Sequence, residues 1–284
     1  MKNNNSAGVV DLHVHTNFSD GILSPEEVVT RAINAGLKAI GITDHDCIEG
    51  IAPAMKAAEN TGLEIVPGVE ISASRDKGEV HILGYFIDRE NPELLKALDR
   101  MKENRVERMR KMLDLLREKN IDIDEEKVTG DAPDGTVGRL QLARAMVREN
   151  AVRDLKEAFD RYIGNGKPCH VGHEYLGYEK AIEIIKKAGG VPVLAHPGTM
   201  GKDAHIPLYV NAGLRGLEAY HSKHWPGTAD RYLRVAAKYG LLITGGSDCH
   251  GMGKEEILLG RIRVGYDIVE KLREEAEKIR NEQV

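Results

Sequence analysis

Val9-Val10-Asp11-Leu12-His13-Val14-His15 decides how this chain is read. Val9, Val10, Leu12 and Val14 make it a buried strand, and residues two apart on a strand face the same way. His13 and His15 therefore present two imidazoles to one point. Outward from this stretch, ligand-type residues return in islands: Asp20, Thr43-Asp44-His45-Asp46, Glu70, His81, His196-Pro197 and Ser247-Asp248-Cys249-His250. Nearly all sit at the edge of an apolar run. That distribution predicts a site for several metal ions.

The elements around the islands alternate in period. Ser24-Pro25-Glu26-Glu27 reads as an N-cap, a proline at the first helical position and an acidic first turn, with the helix running to Gly36. A strand at 38–43, a helix at 49–61 and a strand at 64–71 follow, a βαβαβ rhythm that predicts a parallel sheet. The next strand, 79–87, comes too soon for a parallel crossover. A hairpin turning at Asp76-Lys77-Gly78 is expected instead, bringing Glu70 roughly opposite His81.

From 92 to 166 the character changes. A long charged amphipathic helix at 94–119 precedes shorter helical patterns at 138–149 and 153–163, and no ligand-type island falls here. This segment reads as a helical insertion or cap between two parts of one barrel, 1–91 and 167–284. The α/β rhythm returns with helices at 178–188, 208–212 and 228–239 and strands at 191–195, 215–219 and 241–247. A strand near 262–264 and a helix from Asp267 close the chain.

In parallel α/β barrels the functional residues gather at the C-terminal ends of the strands. His13, His15, Asp44, His45, Glu70, His196, Asp248 and His250 all occupy such ends. Mixed imidazole and carboxylate donors suit zinc, manganese or iron better than calcium or magnesium. The chain has 284 residues, 41% hydrophobic and 30% charged, which is ordinary for a globular protein. Its net charge of −5 argues against a generally basic nucleic-acid surface, yet bound cations leave room for a polyanionic substrate. Three scattered cysteines without a CxxC pair fit a reducing compartment. A polar start without a signal-peptide core, and no apolar run of about 18 residues, predict a cytoplasmic protein without a membrane span.

His13-x-His15 with Asp20 five residues on, Thr43-Asp44-His45-Asp46, Pro67-Gly68-Val69-Glu70-Ile71-Ser72, Val80-His81-Ile82-Leu83-Gly84-Tyr85, Ala195-His196-Pro197 and Gly246-Ser247-Asp248-Cys249-His250, in this order, resemble the polymerase-and-histidinol-phosphatase (PHP) superfamily. The likeness spans roughly 9–90 and 190–265. It points to the nucleotide-directed branch, because a helical insert follows VHILGY and contains Gly138-Arg139. The resemblance implies an α/β fold: a distorted, TIM-like (β/α)7 barrel with an inserted helical subdomain. It also implies three divalent metal ions, manganese first, with zinc or iron as alternatives. His13, His15, Glu70 and Asp248 would hold one; Glu70, His81 and His196 a second; Asp20, His45 and His250 a third.

The implied activity is hydrolysis of the 3′-phosphate of nucleoside 3′,5′-bisphosphates such as 3′-phosphoadenosine 5′-phosphate. Cleavage of short RNA from its 5′ end is the same chemistry with a larger leaving group. Attack by a metal-bridging hydroxide is the expected step, since metals lower the pKa of bound water to about 7 and clamp phosphoryl oxygens. Alternatives are a histidinol-phosphate phosphatase, or a noncatalytic, metal-stabilised module bound to a partner.

Other residues carry secondary expectations. Arg139 and Lys167 would bind a second phosphate. His221 or His224, beyond the strand at 215–219, would protonate the leaving group. Asp11 and Asp44 would orient imidazoles, or Asp44 would cap the following helix. Cys249 alternates away from its neighbours and reads as a small buried hydrophobe, and Gly245-Gly246 as a close backbone approach.

Overall fold

β1 (Val9–Val14) is a buried strand of the computed structural model, which describes residues 8–75, 78–130, 136–172, 175–201, 203–251 and 258–283. It pairs in parallel with β2 (Leu37–Ile42), and β2 with β3 (Glu64–Arg75). β4 (Gly78–Tyr85) is antiparallel to β3, as the short connection requires; Asp76 and Lys77 of the expected turn lie outside the described residues. β5 (Leu176–Gly177) pairs only with β3. β6 (Val191–Leu194) is antiparallel to β4, and β7 (Gly216–His221) and β8 (Leu242–Gly246) follow in parallel. The two-residue β9 (Val264–Gly265) flanks β1.

A parallel bridge between Val14 and Cys249 brings the chain beyond β8 back to β1. The Asp248 amide donates to the His13 carbonyl and the His15 amide to the Cys249 carbonyl, each at 2.9 Å. The nearly closed wall thus has eight strands in the order β8-β7-β6-β4-β3-β2-β1-β9, with β4 and the short β9 reversed, rather than seven helix-linked units. The barrel is distorted because a hairpin, rather than a helix, links β3 to β4. That reversal explains why His81, near the start of its strand, opens on the same mouth as residues at the ends of the others.

Closure demands a glycine at 246. A Cβ there would meet the His13 Cβ at 2.3 Å and the His13 amide nitrogen at 2.4 Å. The helix Pro25–Asn34 starts as expected, with a capping box between Ser24 and Glu27. Its buried Val28, Val29 and Ala32 pack with Ile40 and Ile42 in the main apolar core.

The long helix Pro92–Arg117 belongs to two cores. Leu94, Leu98 and Met101 pack against the barrel, whereas Met109, Met112, Leu113 and Leu116 join a separate apolar cluster with Leu142, Ala145 and Met146. The second cluster also takes in Cys169. We propose that 92–166 forms the cap between the barrel segments 1–91 and 167–284. The separate core supports this division, with the long helix as its shared beam. Among the described residues, no helix is long and apolar enough to cross a membrane.

Candidate metal centre

Alternation along β1 sends Leu12 and Val14 into apolar packing and His13 and His15 toward the mouth. Both histidines are wholly buried. Their Nε2 atoms face each other at 3.1 Å, and Glu70 Oε2 stands 3.1 Å from the first and 3.2 Å from the second. Asp248 Oδ1 lies 3.3 Å from His15 Nε2 and 3.6 Å from His13 Nε2. Glu70 is displaced by two residues from His81 in the β3–β4 register, so the pair meets diagonally rather than directly opposite. Glu70 Oε1 is 3.0 Å from both His81 Nδ1 and His196 Nε2, which are 3.3 Å apart. On the other side, Asp20 Oδ1 stands 3.1 Å from His250 Nε2 and 3.8 Å from His15 Nδ1, and His45 joins the same group.

All nine residues expected to bind metal therefore converge. Among the described residues four donor groups overlap: His13, His15, Glu70 and Asp248; His15, Asp20, His45 and His250; His45, Glu70 and His81; and His13, Glu218 and His221, with His196 beside Glu70 Oε1 at 3.0 Å.

The donors fit divalent cations. His13 Nε2 and His15 Nε2 face each other at 3.1 Å, and His15 Nδ1 and His45 Nδ1 are buried without a hydrogen-bond partner among the described residues. Buried polar atoms are normally satisfied, and an ion of the zinc, manganese or iron type takes this donor mixture. Burial pushes the Glu70 carboxyl up, but the imidazoles of His13, His45 and His81 outweigh it and hold it well below the usual carboxylate range. Burial opposes ionisation of Asp248 too, and His15, His221 and His13 more than offset it. Backbone strain accompanies the site. Asp46, His196 and Asp248 sit at φ of +52°, +27° and +55°, conformations costing on the order of 1–3 kcal/mol each.

Other expectations need correction. Asp11 orients no imidazole; it accepts from the Ser247 and Gly260 amides at 2.8 Å each and binds the β8 end to β1. Burial raises its carboxyl to about 6. Asp44 neither orients a histidine nor caps a helix. It accepts from the Thr16 amide and hydroxyl at 2.7 Å and the Ser19 hydroxyl at 2.5 Å, fixing the loop that delivers Asp20. His224 receives the Gly198 amide on Nε2 at 3.0 Å and turns Nδ1 to the Ala219 carbonyl at 2.9 Å. Both ring nitrogens are occupied by backbone, so His224 has nothing to offer a leaving group as placed. Lys167 is exposed and does not line the cavity beside the cluster. Cys249 is buried in the main core, as its alternation suggests.

His221 is buried at the cluster's edge, with Nε2 3.3 Å from Asp248 Oδ2. The Lys223 amide donates to its Nδ1 at 3.1 Å, which places the proton of the neutral ring on Nε2. Lys223 Nζ reaches Asp248 Oδ2 at 3.1 Å.

Two features were missed in the sequence. Glu218 is wholly buried; its carboxylate oxygens stand 3.1 and 3.2 Å from His13 Nδ1, and Oε2 accepts the His196 amide at 2.8 Å. The available signal was a carboxylate inside the apolar run Gly216-Leu217-Glu218-Ala219. The cap supplies the second feature. A cavity of about 190 Å³ joins Asp20, His45 and His81 to Arg105, Arg108 and Arg139. Arg105 pairs with Asp46 and donates to the Ser72 hydroxyl at 2.9 Å. Arg108 donates to the Val171 carbonyl at 2.9 Å and Arg139 to the Asn165 side-chain oxygen at 2.7 Å. Neither of the latter two has an ion-pair partner among the described residues. Burial and then the nearness of Arg139 lower Arg108 to about 10. The cap is tied directly to the ligand loops, with the Thr136 amide and hydroxyl donating to the Phe18 and His45 carbonyls at 2.8 Å each.

Residues 11–184 match the PHP domain family. The 3′,5′-nucleoside bisphosphate phosphatase of Chromobacterium violaceum is 36% identical over 252 residues, covering 86% of this chain and 88% of that protein. The 5′-3′ exoribonuclease Rnm of Escherichia coli is 32% identical over 257 residues, covering 88% of each. A solved chain from Bifidobacterium adolescentis shares the fold with a TM-score of 0.86 at 30% identity, over 94% of this chain and 96% of that one.

Proposed function

The chain belongs to the PHP domain family, and we propose that it is a metal-dependent phosphoesterase removing the 3′-phosphate of nucleoside 3′,5′-bisphosphates. Short 5′-phosphorylated RNA would be cleaved by the same chemistry, in keeping with the relative named an exoribonuclease. The observation that carries this reading is the cavity that places Arg108 and Arg139, without an ion-pair partner among the described residues, beside the imidazole and carboxylate cluster. One phosphate is to react and one is to be held. Two guanidiniums in the cavity wall, Arg108 and Arg139, favour a dianion and repel a cationic imidazole alcohol, which disfavours histidinol phosphate.

Three divalent cations are the cofactors in this reading, held by His13, His15, Glu70 and Asp248, by Glu70, His81 and His196, and by Asp20, His45 and His250. Manganese is favoured, with zinc or iron as alternatives. Bound cations of this kind lower the pKa of water to about 7 and offset charge on phosphoryl oxygens. The protein's own groups do the rest. Glu70, Asp248 and Asp20 stay ionised among their imidazole neighbours, so the donor set keeps its charge near neutral pH. Glu218 holds the His13 ring through Nδ1 and directs Nε2 into the cluster. His221, whose Nε2 lies 3.3 Å from Asp248 Oδ2 at the cluster's edge, is the group proposed to donate to the departing alkoxide. Arg108 and Arg139 fix the retained phosphate and thereby the distance to the reacting one.

Phosphate release tests the reading, using purified protein with manganese, a bisphosphonucleotide, histidinol phosphate and a short 5′-phosphorylated RNA. Preference for the bisphosphonucleotide is expected. Higher kcat/KM on histidinol phosphate, or no release from any substrate, would overturn it.

A further inference from the structure

A groove of about 640 Å³ adjoins the cavity and shares Tyr175 with it. One wall is the long helix Pro92–Arg117, which contributes Lys96, Arg100 and Asn104; the facing wall contributes Lys180, and Met101 and Ile184 lie between them. Lys96, Arg100, Asn104 and Arg108 are spaced four residues apart. They form one stripe along the helix, with successive members about 6 Å apart along its axis. The last of them, Arg108, is already in the cavity wall.

Among the described residues the cations of this stripe have no carboxylate partner; Arg108 donates only to the Val171 carbonyl. Elsewhere on the same helix the cations are paired: Lys102 with Glu49, Arg105 with Asp46, Arg110 with Glu125 at 2.7 Å. Lys96 and Arg100 are exposed and form no ion pair among the described residues. Glu93, the carboxylate in the groove, is engaged by Lys187 at 2.8 Å. In a chain of net charge −5, an unpaired cationic row leading out of a site is selective placement rather than composition. A positive track over an apolar floor, with an aromatic ring at its head, is the arrangement that follows a single-stranded nucleic acid backbone.

Resting on the phosphoesterase reading above, we propose that this groove is an oligoribonucleotide track. It would hold the phosphodiesters that lie beyond the reacting phosphate. Tyr175 hydrogen-bonds Glu79, whose carboxylate is 3.0 Å from His81 Nε2, so the groove opens from the His81 end of the cavity. Arg139, over the Phe159 ring at 5.9 Å, marks another part of the wall, for the retained 5′-phosphate. The stripe has room for about three further phosphates, given its 6 Å steps.

The test is fluorescence anisotropy with a 5′-phosphorylated RNA pentamer labelled at its 3′ end, beside competition by a 3′,5′-bisphosphonucleotide. Wild type is compared with Lys96→Ala/Arg100→Ala at several salt concentrations. The double variant is expected to bind the pentamer at least tenfold more weakly and to flatten the slope of log K against log salt by about 1.4, two contacts at about 0.7 each. Its bisphosphonucleotide affinity should stay within twofold of wild type. Equal pentamer affinity and equal salt slope in the two proteins, with bisphosphonucleotide binding intact, would sink the track alone. Wild-type protein that binds no bisphosphonucleotide would sink the underlying reading, and the track with it.

Discussion

Glu218 and His13 meet 205 residues apart in sequence, with Glu218 Oε1 3.1 Å from His13 Nδ1 and neither side chain exposed to solvent. A carboxylate at this nitrogen fixes the ring and raises the donor strength of the opposite nitrogen. Glu218→Gln should therefore weaken metal affinity or turnover about 10–100-fold. Manganese titration followed by turnover at saturating metal separates the two effects. Wild-type values in both would remove Glu218 from the account.

Arg139→Ala removes a cation that lines the cavity without an ion-pair partner among the described residues. Charge-assisted hydrogen bonds contribute about 1.5–3 kcal/mol, so KM for a bisphosphonucleotide should rise about 10-fold or more. A phosphomonoester with no second phosphate should be nearly unaffected. If both substrates lose equally, Arg139 supports the fold rather than the substrate.

The two histidines beyond β7 should separate by function. His224→Ala leaves the Gly198 amide without its acceptor, costing about 1–3 kcal/mol of stability while retaining turnover at low temperature. His221→Phe should keep the melting temperature closer to wild type and slow turnover about 100-fold or more, as expected for loss of a general acid. Thermal melts and kcat measured together decide between these roles, and the reverse pattern would exchange them.

Gly246→Ala places a methyl group against the His13 backbone and Cβ. Neither strand can yield without opening the wall between β8 and β1. Overpacking costs about 1–3 kcal/mol, so the melting temperature should fall by several degrees, with reduced metal uptake. Unchanged stability would mean that the two strands approach less closely than described.

How much of this was legible depended on whether a residue's role is local. His13 and His15 could be placed on one face because alternation along a strand is a rule of two residues, and the glycine pair beside Asp248 signalled close packing for the same reason. Asp11 and Asp44 were misread because adjacency to a ligand says nothing about where a side chain turns, and both turn to backbone amides. Glu218 stood out only as a carboxylate inside an apolar run, and its partner could not be read because it lies 205 residues away in sequence. Arg105 and Arg108 were hidden in a helix whose charged residues look alike until the cap is folded onto the barrel. His81 was expected roughly opposite Glu70 but lies two residues along the register, since a hairpin's register depends on its turn.

Metal content addresses the whole arrangement at once. The protein is saturated with manganese, freed of excess by gel filtration and analysed for metal per chain, with Glu70→Gln alongside. About three ions per wild-type chain are expected, falling by two in the variant because Glu70 is shared by two of the three proposed ion positions. Wild-type protein retaining no manganese, zinc or iron after such loading would contradict the account at its root.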